Sequence, residues 1–256
     1  MRYSALAPGK RLRPGLCLAA SEAVGGTDED ALDAACALEM VHCFSLIHDD
    51  LPSIDDDDLR RGRPTCHKVY GEAIAILAGD ALFALAFQIA ASTYEPAKSA
   101  RCAALLAAAS GTPGLVAGEV LDVLSEGTEP TLELVQQIHA WKTGSLIAAS
   151  CEIGAILGGA SESDIQSIRD FGTNVGLAFQ IADDILNETS TEEQLGKAVG
   201  SDRARMKQTY PAVMGLDAAR TAAETAVNNA LNSLQGLSGD TSALADLARY
   251  SMDRSV

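Results

Sequence analysis

The chain has 256 residues, of which 47% are hydrophobic, so it is long enough to bury the core of one large domain. Its formal net charge is −16, which argues against general binding to nucleic acid or to an anionic membrane surface, because both need a broad cationic face. The six cysteines form no Cys-x-x-Cys pair and no charge-free stretch reaches the roughly 20 apolar residues that span a bilayer, so the sequence predicts a cytoplasmic protein with reduced cysteines and no stable membrane insertion.

Helical spacing of apolar residues dominates the chain, without period-2 runs bounded by hairpin turns. In chain order, helices are predicted at residues 28–51, 72–94, 98–110, 114–126, 131–159, 163–188, 208–234 and 241–252. Two of them begin at capping boxes, Thr27 with Asp30 and Ser161 with Asp164. The sequence has neither an internal repeat nor a segment with the composition of a linker. Residues 1–256 are therefore expected to form a single all-α domain, a bundle of helices.

The stretch HDDLPSIDDDDLRR, residues 48–61, follows the predicted helix at 28–51 and holds six aspartates within ten positions. A charge run is most often a solvated loop. Asp49 and Asp50, however, come directly after the apolar segment ALEMVHCFSLI, and Pro52 disfavours helical geometry at Leu51. Carboxylates this close repel each other unless cations lie among them, and ligand sets made only of oxygen select Mg²⁺. The stretch therefore predicts a magnesium site.

A second acidic pair, Asp183 and Asp184, stands in FQIADDILNETS near the end of the predicted helix at 163–188. Residue 187 is four positions after Asp183 and shares its face of the helix, but it is an asparagine. Solvent exposure is the plainer interpretation of one such pair. Two pairs that both follow apolar segments favour helices that face each other across a cavity with metal ions between them.

Four short basic segments are spread through this acidic chain. They are GKRLRP, LRRGR, WKTGS and LGKAVGSDRARMK. Arginine binds phosphate with a fork of N–H donors, and lysine binds it with a point charge. With a magnesium site nearby, the simplest ligand for these segments is a diphosphate.

The acidic and basic segments belong to a longer ordered series. The series is GKRLRP, HCFSLIHDDLPSIDDDDLRRGRPTCHK, AILAGDAL, KTGSLI, FQIADDIL and LGKAVGSD with KQTYP. In this order, the motifs resemble those of the trans-isoprenyl diphosphate synthases, and specifically of the bacterial-type farnesyl and plastid-type geranylgeranyl diphosphate synthases, over residues 2–252. The resemblance implies long helices around a deep central cavity with the two aspartate motifs facing each other at its mouth. It also implies Mg²⁺ as cofactor with three ions per site, a homodimer, and a plastid location if an upstream transit peptide has been removed.

The resemblance also implies roles for individual residues. The metal ligands would be Asp49, Asp50, Asp55, Asp183 and Asp184. The pocket for isopentenyl diphosphate would be Lys10, Arg13, His42 and Arg61. Contacts to the allylic diphosphate would come from Arg60, Lys142, Thr143, Gln180, Lys197 and Lys207. The catalytic set would be Asp49, Asp50, Asp55, Lys142, Asp183 and Lys197. Without this context, His42 reads as a histidine of the core.

Product length in this family depends on the depth of the cavity below the first aspartate motif. Phe44 lies five residues before Asp49, so on a helix its side chain points down from that carboxylate. Ordinary core packing is the alternative role of Phe44. An aromatic residue at this place resembles synthases of C15 products, and the sequence therefore predicts farnesyl diphosphate. YGEAIAILAGDAL and EEQLGKAVGSD resemble the C20 branch, which leaves geranylgeranyl diphosphate as the alternative product.

Several positions depart from the family pattern. Asn187 stands where an aspartate is usual, Glu119 stands where a glutamine is usual, and Pro8 replaces a usual glycine. The chain is also expected to lack an N-terminal helical segment that the family has before MRYS. These departures keep open a non-catalytic partner subunit of a prenyl synthase. A terpene cyclase is the other alternative, but it has no need for the second diphosphate pocket that contains Lys10 and Arg13.

Overall fold

The computed structural model describes residues 1–189 and 207–252. Over these residues the protein is helical, which confirms the predicted all-α class, with one small hairpin of β1 (Leu59–Arg60) antiparallel to β2 (Arg63–Pro64). The helices are α1 (Arg2–Ala5), α2 (Leu12–Ala23), α3 (Asp28–Asp49), α4 (Cys66–Tyr70), α5 (Glu72–Ser92), α6 (Pro96–Ser110), α7 (Leu115–Ser125), α8 (Leu132–Ile138), α9 (Ser145–Leu157), α10 (Glu162–Thr189), α11 (Tyr210–Met214), α12 (Leu216–Ser233) and α13 (Ser242–Met252). A π-helical segment, His139–Gly144, joins α8 to α9.

The sequence prediction missed α2 and the short helices α1 and α4. Helix α2 contains Pro14 and Gly15, which read as helix breakers. Pro14 is the third residue of the helix, however, where a backbone N–H has no partner within the helix, so its loss costs little. The predicted helix at 208–234 is divided into α11 and α12 by Gly215, whose φ of 81° is unfavourable for other residues.

The first predicted capping box is present in full, and the second in part. The carboxylate of Asp30 accepts a hydrogen bond from the backbone N–H of Thr27 at 2.8 Å, at the start of α3. At the start of α10, the Ser161 hydroxyl accepts a hydrogen bond from the backbone N–H of Asp164 at 3.2 Å and donates one to the Asp164 carboxylate at 2.8 Å. These bonds fix where α3 and α10 begin, and each of these helices carries one of the two aspartate pairs near its C-terminal end.

Helix α9 lies at the centre of the main core, because it is buried along its whole length from Leu146 to Leu157. It packs closely on α2 through Gly154, where an added Cβ would lie 2.0 Å from the carbonyl oxygen of Cys17. Helices α3 and α10 contribute fully buried side chains such as Leu38 and Phe171 to the same core. The core thereby holds the helices that position the charged residues at the end of the bundle.

Three segments are long and apolar enough to cross a membrane by length and composition alone, Asp28–Asp49, Glu72–Ser92 and Pro96–Ser125. Length and composition alone therefore do not exclude membrane insertion, although no charge-free stretch reaches roughly 20 residues. In the structure, 50% of the apolar window of Asp28–Asp49 is buried inside the protein, and 33% of each of the other two.

Candidate active site

A cavity of about 950 Å³ collects most of the charged residues that the sequence singled out. The carboxylates that line it are Asp49, Asp55, Asp57, Glu119, Asp122, Asp183 and Asp184, together with Glu39. The basic side chains that line it are Lys10, Arg11, Arg13, His42, Arg60, Arg61, Lys142 and Lys207. Both charge types that the sequence predicted for a metal and diphosphate site thus meet in one cavity.

The two aspartates at the end of α3 have different environments. Asp49 lines the cavity, whereas Asp50 is 3% exposed and lines a separate small pocket. The Oδ1 atom of Asp50 accepts a hydrogen bond from Arg60 Nε at 2.6 Å and lies 2.6 Å from Arg60 Nη2. Burial raises the pKa of Asp50 to about 6, against the lowering effect of Arg60. Asp50, predicted as a metal ligand, thus holds an arginine that was predicted to bind diphosphate.

Asp49 is influenced by burial and by neighbouring charges of both signs. Burial raises the pKa of Asp49 to about 8, Glu119 adds to the rise, and Lys142 opposes it. Glu119, the unusual residue of α7, lies 2.8 Å from Lys142 through its Oε2 atom. The carboxylate at Glu119 therefore makes it harder for Asp49 to ionise when no cation is near.

Two lysines predicted to bind the allylic diphosphate form a chain of ion pairs across the cavity. Lys142 Nζ lies 2.6 Å from Asp122 Oδ2, and Lys207 Nζ lies 3.1 Å from the same oxygen. Lys207 also contacts Asp55 at 3.2 Å, which connects the acidic loop after α3 to α7. Burial lowers the pKa of Lys142, but Asp122, Glu119 and Asp49 raise it by more, so the lysine stays charged.

The π-helical segment sets the position of Lys142. Such segments widen a helix by one residue and are frequent at functional sites. Gly118 of α7 allows this segment to approach closely, because an added Cβ would lie 2.1 Å from the backbone nitrogen of Lys142. On the same segment the hydroxyl of Thr143 donates to Gln180 Oε1 at 2.8 Å. The two residues predicted as allylic contacts thus orient each other.

The two aspartates of the second pair, Asp183 and Asp184, also have different environments. Asp183 is exposed and lines the cavity, and Asn187 is buried one turn further on. Asp184 is buried and accepts hydrogen bonds from the backbone N–H of Tyr210 at 2.9 Å and from Gln180 Nε2 at 3.3 Å. The role of Asp184 suggested by these contacts is to hold α11 against α10.

The residues predicted to bind isopentenyl diphosphate, Lys10, Arg13, His42 and Arg61, all line the cavity. Burial and the neighbouring arginines hold the pKa of His42 well below its ordinary value, so His42 is neutral. Arg11, which the sequence analysis assigned no role, pairs with Glu39 and donates to the backbone oxygen of Ala7 at 2.5 Å.

Not every predicted residue is found in the lining of the cavity. Lys197 lies outside the described residues, and Asp50 lines the separate small pocket. Phe44 is absent from the lining of the cavity in the described part of the chain. Its ring packs against Phe83 with centroids 4.7 Å apart, and Phe83 packs against Phe87 at 4.8 Å. The predicted role of Phe44 in product length stays a prediction.

Sequence reasoning missed two polar residues of the site. Asp122 follows Glu119 by three residues on α7, a spacing that puts both on one helix face and was the available signal. His139 lies 3.3 Å from Asp184 Oδ2 and stacks on Tyr210. Burial lowers the pKa of His139 to about 3, so this neutral ring contacts the carboxylate as a hydrogen-bond donor. No sequence pattern marked it.

The residues present fit Mg²⁺. The carboxylate oxygens of Asp49, Asp55 and Asp183 line the cavity, and hard cations prefer such donors. A cation beside Asp49 would also offset the raised pKa of that residue.

The helical architecture and this site define the class of the protein as the isoprenoid synthase fold. It resembles the crystal structure of a geranyltransferase from Helicobacter pylori complexed with magnesium and isoprenyl diphosphate, with a TM-score of 0.86 and 33% identity over 98% of this chain and 85% of that chain. The chain belongs to the polyprenyl synthetase family, whose model matches residues 1–245.

Two curated relatives come from Arabidopsis thaliana. The chain is 50% identical to Geranylgeranyl pyrophosphate synthase 4 over 94% of its own length and 66% of that protein. It is 49% identical to Heterodimeric geranylgeranyl pyrophosphate synthase large subunit 1, chloroplastic, over 98% of its length and 70% of that protein. The chain thus spans about two thirds of the length of these relatives.

The charge around Asp49 predicts a pH dependence of stability in metal-free protein. Because its folded-state pKa of about 8 lies above the ordinary value of 3.8, stability is expected to fall as pH rises between these values and to level off above pH 8. Glu119→Gln removes one source of the raised pKa, so its melting temperature should fall less over this range. Thermal denaturation in EDTA from pH 5 to 9 measures the difference. Glu133→Gln, on the exposed surface of α8, is the control of equal charge, and equal slopes for both variants would contradict the prediction.

Proposed function

We propose that the chain is a chain-elongating prenyltransferase that condenses isopentenyl diphosphate with allylic diphosphates to give geranylgeranyl diphosphate. The single observation that supports it most is the cavity itself, where carboxylates from α3, α7 and α10 line the same space as two basic sets. One basic set, with Lys10, Arg13 and Arg61, has the charge to bind one diphosphate. The other, with Lys142 and Lys207, has the charge to bind a second.

The proposed chemistry follows from these two separate sets of basic side chains. Mg²⁺, when bound by Asp49, Asp55 and Asp183, would neutralise the diphosphate that leaves the allylic substrate. Lys142 and Lys207 would stabilise the same negative charge, so that the allylic C–O bond ionises. The double bond of isopentenyl diphosphate, held by the first basic set, then attacks the cation, and a proton passes to the released diphosphate. Arg60, Thr143, Gln180 and Lys197 are the further allylic contacts in this proposal.

A C20 product is favoured by two observations. The two curated relatives carry the name of geranylgeranyl pyrophosphate synthase at 50% and 49% identity. In addition, the Phe44 ring packs against Phe83 and is absent from the lining of the cavity as the described residues define it. Farnesyl diphosphate is the second candidate, because Phe44 precedes Asp49 by five residues on α3 and forms a row of bulky rings with Phe83 and Phe87.

Product analysis tests this proposal. Purified protein is incubated with Mg²⁺, isopentenyl diphosphate and either dimethylallyl or farnesyl diphosphate, and the dephosphorylated products are chromatographed against C10, C15 and C20 standards. Geranylgeraniol is the expected product. Farnesol from dimethylallyl diphosphate, without conversion of farnesyl diphosphate, would favour the second candidate, and a longer product from Phe44→Ala would then assign the limit to that ring. No product from folded protein would favour a non-catalytic partner subunit.

We also propose a homodimer formed through α5 and α7. Both helices expose large apolar side chains, among them Ile74 at 52%, Leu77 at 61% and Val120 at 51%. Large apolar side chains exposed on both helices suit contact with a second copy of the chain better than contact with water. Light scattering during size exclusion is expected to give twice the chain mass, and the mass of one chain for Leu77→Asp. A monomeric wild-type protein would contradict the proposal.

For localisation, the sequence predicted the cytoplasm, with a plastid as the alternative. The word chloroplastic in the name of one relative favours the plastid for this chain. Imaging of the full-length gene product fused to a fluorescent protein distinguishes the two.

A further inference from the structure

A second group of possible metal ligands lies in and next to the first acidic motif, and none of its members lines the cavity in the described part of the chain. It consists of Asp56 and Asp58, from the loop before β1, and His67 of α4, whose ligand atoms all lie within 4.8 Å of one another. The neighbouring Asp55 and Asp57 line the cavity, whereas Asp56 and Asp58 are exposed and absent from its lining in the described part of the chain. The acidic run therefore presents alternate carboxylates to two different places.

His67 supplies an observation that is independent of the acidic pair. Its side chain is buried, with 6% of the residue exposed, and its Nε2 atom has no hydrogen-bond partner among the described residues. A buried polar atom without a hydrogen-bond partner lowers the stability of a folded protein. Its presence therefore indicates a missing ligand or requires another explanation. One ring nitrogen of His67 lies within 4.8 Å of a carboxylate oxygen of Asp56 and of Asp58.

The hydrogen bonds of Thr65 fix which ring nitrogen of His67 is available. The Thr65 hydroxyl donates to the backbone oxygen of Asp57 at 2.9 Å, so its oxygen is left to accept a hydrogen bond. His67 Nδ1 lies 3.1 Å from that oxygen and donates to it. The other ring nitrogen, Nε2, then carries the lone pair that could bind a metal ion. Metal-binding histidines typically have this arrangement, with the other ring nitrogen donating to a fixed acceptor.

The donor set selects the kind of ion. Imidazole nitrogen suits Zn²⁺ and its first-row neighbours, whereas Mg²⁺ and Ca²⁺ prefer oxygen alone. Lys68 Nζ lies 2.6 Å from Asp58 Oδ1, so the second oxygen of Asp58 is the one available to an ion. Two carboxylates and one neutral imidazole give a three-ligand set of the kind that binds Zn²⁺ with a fourth position for water.

We propose that Asp56, Asp58 and His67 bind one divalent transition-metal ion of the Zn²⁺ class, at a site separate from the carboxylates of the cavity. The hairpin of β1 and β2 lies between these ligands in the sequence, and it carries Arg60 and Arg61 into the cavity. A bound ion would connect the two ends of the hairpin. It would thereby restrict the loop that presents both arginines to a diphosphate.

Titration with Co²⁺ as a spectroscopic probe of the Zn²⁺ class tests the site. The protein is freed of metal, no diphosphate is added, and excess Mg²⁺ is present to occupy oxygen-only sites. We expect one equivalent of Co²⁺ to bind and to produce one paramagnetically shifted imidazole N–H signal in the proton NMR spectrum. His67→Asn, which keeps an atom near Nδ1 for Thr65, and Asp58→Asn should each weaken binding by about tenfold or more.

Asp57→Asn is the matched control, because it removes the same charge from the adjacent position outside the group, and its affinity should equal that of the wild type. Competition with Zn²⁺ should displace the Co²⁺ and raise the melting temperatures of the wild type and of Asp57→Asn more than those of His67→Asn and Asp58→Asn. The proposal is overturned if the wild type binds no Co²⁺ under excess Mg²⁺, or if His67→Asn, folded by circular dichroism, binds it as tightly as the wild type does.

Discussion

Replacing Asp49 by asparagine is expected to lower kcat about 10²- to 10³-fold. The variant loses one anionic oxygen ligand for Mg²⁺, and Mg²⁺ is the ion that balances the negative charge of the leaving diphosphate in the transition state. Asp49 lines the cavity from the end of α3, and the shape of its side chain is kept in the variant. The measurement is steady-state condensation at saturating substrates over a range of Mg²⁺ concentrations. Asp33→Asn, on the exposed face of the same helix, removes an equal charge and should leave kcat unchanged.

The same variant should not lose stability. Since burial and Glu119 raise the pKa of Asp49 to about 8, an ionised Asp49 opposes folding in metal-free protein. Its amide replacement should therefore melt at the same temperature or higher, which separates a loss of catalysis from a loss of fold. A variant with kcat within about tenfold of the wild type would remove Asp49 from the site that we propose.

Lys142→Gln is expected to cost about 3 kcal/mol of unfolding free energy, because it leaves Glu119 and Asp122 in a largely buried place without their shared cation. The lysine side chain is 25% exposed and its partners are 13% and 9% exposed, which places the cost at the lower end for a broken buried pair. Urea denaturation in EDTA measures it.

Two further variants decide whether charge is the cause of this loss. Lys142→Gln combined with Glu119→Gln should recover part of the stability, as a double-mutant cycle reports the coupling between the two side chains. Lys68→Gln breaks the exposed pair with Asp58, whose partners are 42% and 72% exposed, and should cost less than about 1 kcal/mol. If Lys142→Gln lowers the unfolding free energy no more than Lys68→Gln does, the buried ion pairs of Lys142 do not stabilise the fold more than an exposed pair.

The sequence carried enough information to predict the helical class and most of the helices around the site. Capping boxes at Thr27 and Ser161 placed the beginnings of α3 and α10 correctly. Pro14 was misleading because composition does not say whether a proline falls in the first turn of a helix, where it is tolerated, or later, where it is not. The π-helical segment had no visible pattern, since it depends on how α7 packs against it at Gly118.

For the site, the sequence predicted which residue types gather but not where each one points. Asp49 and Asp50 look equivalent in the sequence, yet the helix ends between them, so Asp49 lines the cavity and Asp50 pairs with Arg60. Asp122 belongs to the site through its contacts with Lys142 and Lys207, which are 20 and 85 positions away in the sequence. Directions at a helix end and long-range pairs of this kind are set by tertiary packing, which local spacing does not encode.

The shared carboxylate of Asp122 has a consequence for the order in which substrate and cation arrive. Lys142 and Lys207 each contact it, so a diphosphate that recruits these lysines must exchange partners with a carboxylate. A carboxylate released in this way becomes available to a cation. Diphosphate and Mg²⁺ should therefore bind with positive cooperativity, each lowering the electrostatic cost of the other, and calorimetry with both should show tighter binding than with either alone. In this sense the lysine network works as an ion exchanger that takes up its two ligands together.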